Sequence, residues 1–501
     1  MDEKTIFQGQ NEINVPPGQI TPQSAQKPIN TPFPPQPPPP LPQVPPPVQP
    51  PPPVQPPVEA PDIPPPPSRS LISFKKLIFI FIGLVFVSLL AFGGFMLFQN
   101  FQGSKNEKVT LEYWGLWEDS KVMDSVISDF QKSNPNITVN YSKQDINDYR
   151  QKLVQRIENG TGPDIFRFHN TWPIMLSSYL LPLSTDTISP DEFKKSFYPV
   201  AQTDLIKNGA IYGIPLEIDT LALYVNSDLF KAAGIGIPDR WEDFASISAA
   251  LTVKDNDGKI KKAGVALGTS NNIDHASDII SLLLIQNGVN LNKISSNQEN
   301  LSQALQYYAS FATGNSNVWD KNQDSSLLAF SKGNLGMFFG YSYDYFSIKA
   351  LNPTLNFEIV QVPTLAGKRL TIGSYWVEGV SVKSKHQKEA LQFLKFLSQK
   401  ETEQKLFSEE SKTRLFGEPY ARVDLSESLK ENKIIYPFVQ QAPNSKSTYF
   451  SDATFDQGIN DELRNYLYRA IDSIVLNNGS SATAADTLSK GFDQTLSKYA
   501  K

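Results

Sequence analysis

The stretch "YGIPLEIDTLALYVNSDLF", Tyr212 to Phe230, sets two carboxylates, Glu217 and Asp219, in a mostly apolar run. Alternate side chains of a strand share one face, so these two acids point the same way. Such a pair can be an acid/base couple, a metal site, or hydrogen-bond acceptors for a polar ligand. Trp114, Trp117, Trp172 and Trp376 stand beside amide and carboxylate residues. A flat apolar ring next to hydrogen-bonding groups suits a sugar, with its CH-rich faces and hydroxyl rim. His169, His275 and His386 are too scattered to suggest a metal site.

Signatures of other chemistry are missing. The chain has no phosphate-binding P-loop, no HExxH, no GxSxG and no paired CxxC. "DKNQDSSLLAFS" (Asp320 to Ser331) opens like a calcium loop but lacks its sixth-position glycine and twelfth-position glutamate. "KDNDGK" reads as a hairpin turn at Asp257 and Gly258, because Asp-Gly tolerates positive φ. A glycosidase needs only two carboxylates brought together in space, so missing motifs count against an enzyme without excluding one. With no cysteine, disulfides, zinc–thiolate sites and a cysteine nucleophile are all excluded. No cofactor or metal is expected. A net charge of -5 argues against nucleic-acid binding, which needs a clustered basic surface.

The elements that must position these residues start near Lys108. "KVTLEYWGLW" reads as a strand. Asp119 or Ser120 then caps a helix whose Val122, Met123, Val126, Ile127 and Phe130 fall on one face. "SNPN" breaks it, and "ITVNYS" is a second strand. Tyr149, Leu153 and Ile157 form another helical stripe, closed at Asn159 and Gly160, before "PDIFRF" as a third strand. This βαβαβ order favours a parallel sheet with ligands beyond the carboxyl ends of its strands. Those ends carry "WGLWED" and "HNTWP". Trp241, in "PDRWEDF", reads as structural, opening a helix.

Ahead of this domain the composition changes twice. Residues 1–70 are proline-dominated, and proline lacks a backbone donor, so a disordered or polyproline II tail is expected. About 40 such residues at about 3.1 Å each reach on the order of 120 Å. Residues 77–98 carry no charge and are long enough to cross a hydrocarbon core of about 30 Å. Lys75 and Lys76 flank the near end, which predicts a cytoplasmic tail and an extracellular C-terminal domain on one transmembrane helix. Residues 99–107 make a short linker.

From about Lys108 onward the chain resembles the family 1 extracellular solute-binding proteins, sugar-type receptors of ABC importers related to maltose-binding protein. The motifs come in the family's order. "YWG" and "FQKSNPNITV" are followed by "GTGPDIFRF" (Gly160 to Phe168), and then by "YGIPLEIDTLALYVNSDLFKAAGI" with "PDRWEDF". "AFSKGNLGMFFGYSYDY" (Ala329 to Tyr345) and "VPTLAGKRLTIGSYWVEGVSVKSKHQKEALQFLKFLSQKETEQKLF" complete them. The resemblance implies an α/β, two-lobed, periplasmic-binding-protein-like domain (type II) over 108–501 with an interlobe hinge. Lobe 1 would hold about 108–218 and 364–428, and lobe 2 about 220–362 and 430–501.

Carried over by position, ligand contacts fall on Trp114 and Trp117, then on Asn170, Thr171 and Trp172. Glu217 and Asp219 follow at the first lobe crossing, then Tyr341, Tyr343, Trp376 and Glu378. The implied function is capture of a sugar or oligosaccharide and its delivery to an ABC permease, without catalysis. Two features depart from the family. There is no lipid-anchor cysteine, its place taken by the transmembrane helix, and the proline tail is foreign. The alternative is therefore a ligand-sensing or scaffold receptor signalling to a cytoplasmic partner of that tail.

Overall fold

The computed structural model describes residues 108–499, together with Ser88 and Phe92. The architecture below is that of the unit Val87–Lys501. The proline tail expected over 1–70 and the linker over 99–107 lie outside the described residues. So does the span over 77–98, apart from Ser88 and Phe92, both helical. Among the described residues no helix is long and apolar enough to cross a membrane.

The first elements follow the local pattern closely. Strand β1 (Val109–Gly115) leads to α1 (Ser120–Ser133), whose buried residues are Val122, Met123, Val126, Ile127 and Phe130. Fully burying such a side chain contributes roughly 1.5–3 kcal/mol, so this one stripe docks the helix. Strand β2 (Ile137–Lys143) precedes α2 (Tyr149–Glu158), which buries Tyr149, Leu153 and Ile157, and β3 (Ile165–His169) follows. Both β2 and β3 pair with β1 in parallel, as a βαβαβ unit requires.

Two later segments complete this sheet, in the order β2, β1, β3, Trp376–Val380, Ile214–Pro215. Trp376–Val380 runs antiparallel to β3, with Glu378 opposite Arg167 and Trp376 opposite His169. A second five-stranded sheet has the order Phe357–Val360, Ala222–Asn226, Leu335–Gly340, Ile260–Val265, Val253–Lys254. The hairpin turn expected at Gly258 joins its last two strands, with φ of 79° at that glycine. Gly264 allows close packing of helix Trp241–Leu251, since a Cβ there would meet the Ser248 carbonyl oxygen at 1.9 Å. Trp241 opens that helix, 2% exposed, and stacks on Phe339.

Each sheet anchors its own hydrophobic core. A third small sheet joins the two lobes, in the order Ser445–Lys446, Thr371–Ser374, Asp219–Thr220. Near the second and third crossings the chain touches both cores. Leu365 and Leu370 pack against the second, and further on Ile435, Val439 and Ala442 belong to the first while Phe438 belongs to the second. The segments beyond 362 and 430 carry no periodicity that states which core they join. Packing decides it.

Candidate functional site

Strand β3 is buried at every position, and Arg167 lies in its middle. A buried guanidinium must be paired, and three carboxylates surround this one. Its Nε donates to Glu378 Oε1 at 2.6 Å and its Nη1 to Glu118 Oε1 at 2.5 Å, with Glu217 Oε1 at 3.7 Å from Nη1. Glu378, expected at the ligand, is 0% exposed and committed to Arg167. The strand register explains this correction, because it sets Glu378 directly beside Arg167.

The two acids of the opening stretch lie at the first crossing, both buried. Glu217 bridges to Tyr420, and its Oε2 accepts no hydrogen bond among the described residues. Burial raises its pKa well above the usual carboxylate range; Arg167 opposes this, while Glu118, Glu418 and Glu410 add to it. Asp219 reaches the second lobe, where Ser342 donates its backbone N–H at 2.8 Å and its hydroxyl at 2.7 Å to Oδ2. Burial and then Glu418 raise the Asp219 pKa, and the Ser342 and Thr220 hydrogen bonds hold it back. Both acids thus feel Glu418.

The aromatic residues separate into exposed and enclosed ones. Trp117 remains 40% exposed and packs edge-on to Trp376 at 5.4 Å. Trp376 in turn meets Trp172 at 5.4 Å and His169 at 5.1 Å. Trp172 is 0% exposed and packs on Tyr149, so it supports this wall from within rather than facing a ligand. Trp114 lies on the opposite face of β1 from the buried Tyr113, under the Lys152 ammonium. Only Trp117 and Trp376 form the outer pair.

The second lobe contributes the loop after Leu335–Gly340. Tyr341 is buried and stacks on Tyr343, which keeps 41% exposure. Burial nevertheless raises the Tyr343 pKa, with Asp344, Asp452, Asp219 and Asp278 adding to it. His275 packs edge-on to both tyrosines and bonds Asp344 Oδ2 through Nε2 at 3.0 Å.

Asn170 and Thr171 hold the frame. Asn170 Nδ2 donates to Asp204 at 2.9 Å, and Thr171 Oγ1 contacts His169 Nδ1 at 2.8 Å and accepts from Asn460 of the second lobe at 2.7 Å. They also line an interlobe cavity of about 730 Å³ with Asp204, Leu291, Lys446 and Tyr449. None of Trp117, Trp376, Glu217, Asp219 or Tyr343 lines it. One oxygen each from Glu118, Glu217 and Glu410 lies within 4.8 Å of the others, the one group of acids able to hold a metal among the described residues.

Sequence reasoning missed Arg167, Glu118, Glu410, Glu418, Ser342, His169 and His275. A signal for Arg167 existed: a charge inside "IFRFH", a run too apolar to face water. The others carry no local signal.

The family described as bacterial extracellular solute-binding protein matches residues 125–433. The chain belongs to that family. The multiple sugar-binding protein of Streptococcus mutans is 24% identical to this solute-binding protein over 334 residues, covering 61% of this chain and 74% of that one. Among solved structures, the sugar-binding protein MalE from Xanthomonas citri superposes with a TM-score of 0.63 at 18% identity. It covers 78% of this chain and 98% of its own. The GacH receptor of Streptomyces glaucescens gives 0.61 at 18% identity, covering 78% and 99%. These likenesses show the two-lobed α/β binding-protein fold for this solute-binding protein.

Proposed function

We propose that this protein captures a sugar or oligosaccharide between its lobes and delivers it to an ABC permease from a membrane tether. One observation carries the reading. The exposed Trp117 and the half-buried Trp376 on one lobe, and the exposed Tyr343 on the other, accompany the buried acceptors Glu217 and Asp219 on the first crossing. Rings cover the CH faces of a sugar while carboxylates accept its hydroxyl protons. The names of similar proteins lean the same way: one is a multiple sugar-binding protein, and another was solved with acarbose.

In this reading Trp117, Trp376, Glu217, Asp219 and Tyr343 meet the ligand. Asn170, Thr171 and Tyr341 position the lobes and the loop, and Trp114, Trp172 and Glu378 support from inside. Hydrogen bonds from Ser342 to Asp219 and from Asn460 to Thr171 join the lobes, so ligand would select the conformation that makes them. Calorimetry and thermal melting of the full chain against mono- and oligosaccharides and sugar phosphates test this. A saturable response to one carbohydrate is expected, and silence across the panel overturns the sugar reading.

The proline-rich segment 1–70 and the absent lipid-anchor cysteine favour a second reading, a receptor signalling to a cytoplasmic partner. Deleting 1–70 separates the two. Uptake that survives the deletion favours import, and a ligand-triggered response lost with it favours sensing.

A further inference from the structure

The Arg167 cluster carries more negative than positive charge. Glu118, Glu217, Glu378, Glu410 and Glu418 converge on only two guanidiniums, Arg167 and Arg414. Arg167 is taken by Glu118 and Glu378, at 2.5 and 2.6 Å. Arg414 is taken by Glu410 and Glu418, at 2.8 and 2.6 Å. Glu217 is left 3.7 Å from Arg167 Nη1, the nitrogen that already donates to Glu118.

The geometry then adds an independent sign. Glu118, Glu217 and Glu410 are 5%, 7% and 3% exposed, and each has one carboxylate oxygen with no hydrogen-bond partner among the described residues. Leaving buried anionic oxygens unpaired is costly, and unpaired groups that converge indicate something between them. Glu410 also ends the helix Lys400–Glu410, where the backbone dipole favours positive charge.

We infer that Glu118, Glu217 and Glu410 form a binding site for a hard divalent cation, of the calcium class, beside the first lobe crossing. Their oxygens approach within 4.8 Å of one another, and an ion at about 2.3–2.6 Å from each can bridge such a span, as Ca²⁺ does and the smaller Mg²⁺ does poorly. The remaining coordination positions go to water or to a ligand oxygen. This site does not depend on the sugar reading, because its test contains no carbohydrate.

The test is calorimetric titration of the full chain, stripped with chelator, with CaCl₂ at pH 8. One saturable site is expected. Glu217→Gln and Glu410→Gln should each weaken it at least about tenfold, while the melting temperature of Glu217→Gln in chelator does not fall, since that change removes a charge whose nearest guanidinium nitrogen is 3.7 Å away. Terbium luminescence sensitised through Trp117, next to Glu118, gives a readout on the unaltered chain and should be displaced by Ca²⁺. Binding weakened in either variant, or Ca²⁺-displaceable luminescence, supports the site. Absent binding, or binding unchanged in both variants, overturns it and leaves protons as what neutralises the cluster.

Discussion

Each lobe presents a buried histidine edge-on to an aromatic side chain of the candidate site, and the two are built in opposite ways. His169 of the first lobe touches hydroxyls, Thr171 Oγ1 at 2.8 Å and Ser374 Oγ at 3.0 Å, beneath Trp376. Burial pushes its pKa down to about 3, so it stays neutral. His275 of the second lobe faces Asp344 at 3.0 Å and Asp452 at 3.4 Å, with Asp278 close by. Burial alone would lower its pKa, but Asp344 and Asp452 together raise it well above the usual value. The same residue type at similar burial becomes a neutral hydrogen-bonding ring in one lobe and a cation in the other. Neighbours, rather than depth, decide the charge.

The largest effect is expected where that contrast is broken outright. His275→Gln leaves Asp344 and Asp452 buried with Arg464 as the nearest remaining cation, and should cost about 3 kcal/mol in urea unfolding at pH 6. The loss should shrink as pH rises. A folded pKa above the unfolded value of about 6.5 stabilises fully below 6.5, and that contribution disappears as pH climbs through the folded pKa. A loss that is the same at pH 6 and pH 10 would contradict a charged His275.

Next comes the aromatic wall that His169 supports. Trp376→Ala removes the ring that joins Trp117, Trp172 and His169. It should weaken binding of any carbohydrate found by about 2 kcal/mol or more, roughly 30-fold, by calorimetry. Undiminished affinity would remove Trp376 from the site.

His169 itself should show the opposite pH slope to His275. Its folded pKa lies below the unfolded one, so the unfolded chain takes up a proton that the folded chain refuses. Stability should fall by about 1.4 kcal/mol per pH unit as pH drops below about 6.5. His169→Gln should remove that slope in urea unfolding between pH 4.5 and 6.5, and an unchanged slope would assign it to other groups. The smallest effect is expected for Tyr343→Phe, which keeps the ring of the second lobe. Affinity should fall by about 1 kcal/mol or less if its hydroxyl bonds ligand, and a loss as large as that of Trp376→Ala would reverse the ranking of the lobes.

Legibility divides along the same line. The βαβαβ unit was readable because its burial repeats within each element, as in Val122, Met123, Val126, Ile127 and Phe130 on α1. Glu217 and Asp219 were readable as two acids close together where the chain first passes between the lobes. Their partners were not. Asp219 meets Ser342 across 123 residues, and Arg167 meets Glu378 across 211. Glu378 was read as a ligand contact from its position in the family pattern, and nothing near it in the chain shows that it faces a guanidinium.

What the residues determined unaided is the inventory. No thiol is available, a charge is embedded in "IFRFH", aromatic residues follow strand ends beside acidic or amide ones, and helical stripes recur at helical spacing. These depend on residue type and on periods of two and 3.6 residues, which are local quantities. Tertiary structure alone decided which acids meet Arg167, which tryptophans stay open, and which histidine is charged. Those outcomes depend on electrostatics and packing between distant segments, and the register of Trp376–Val380 against β3 sets much of that geometry.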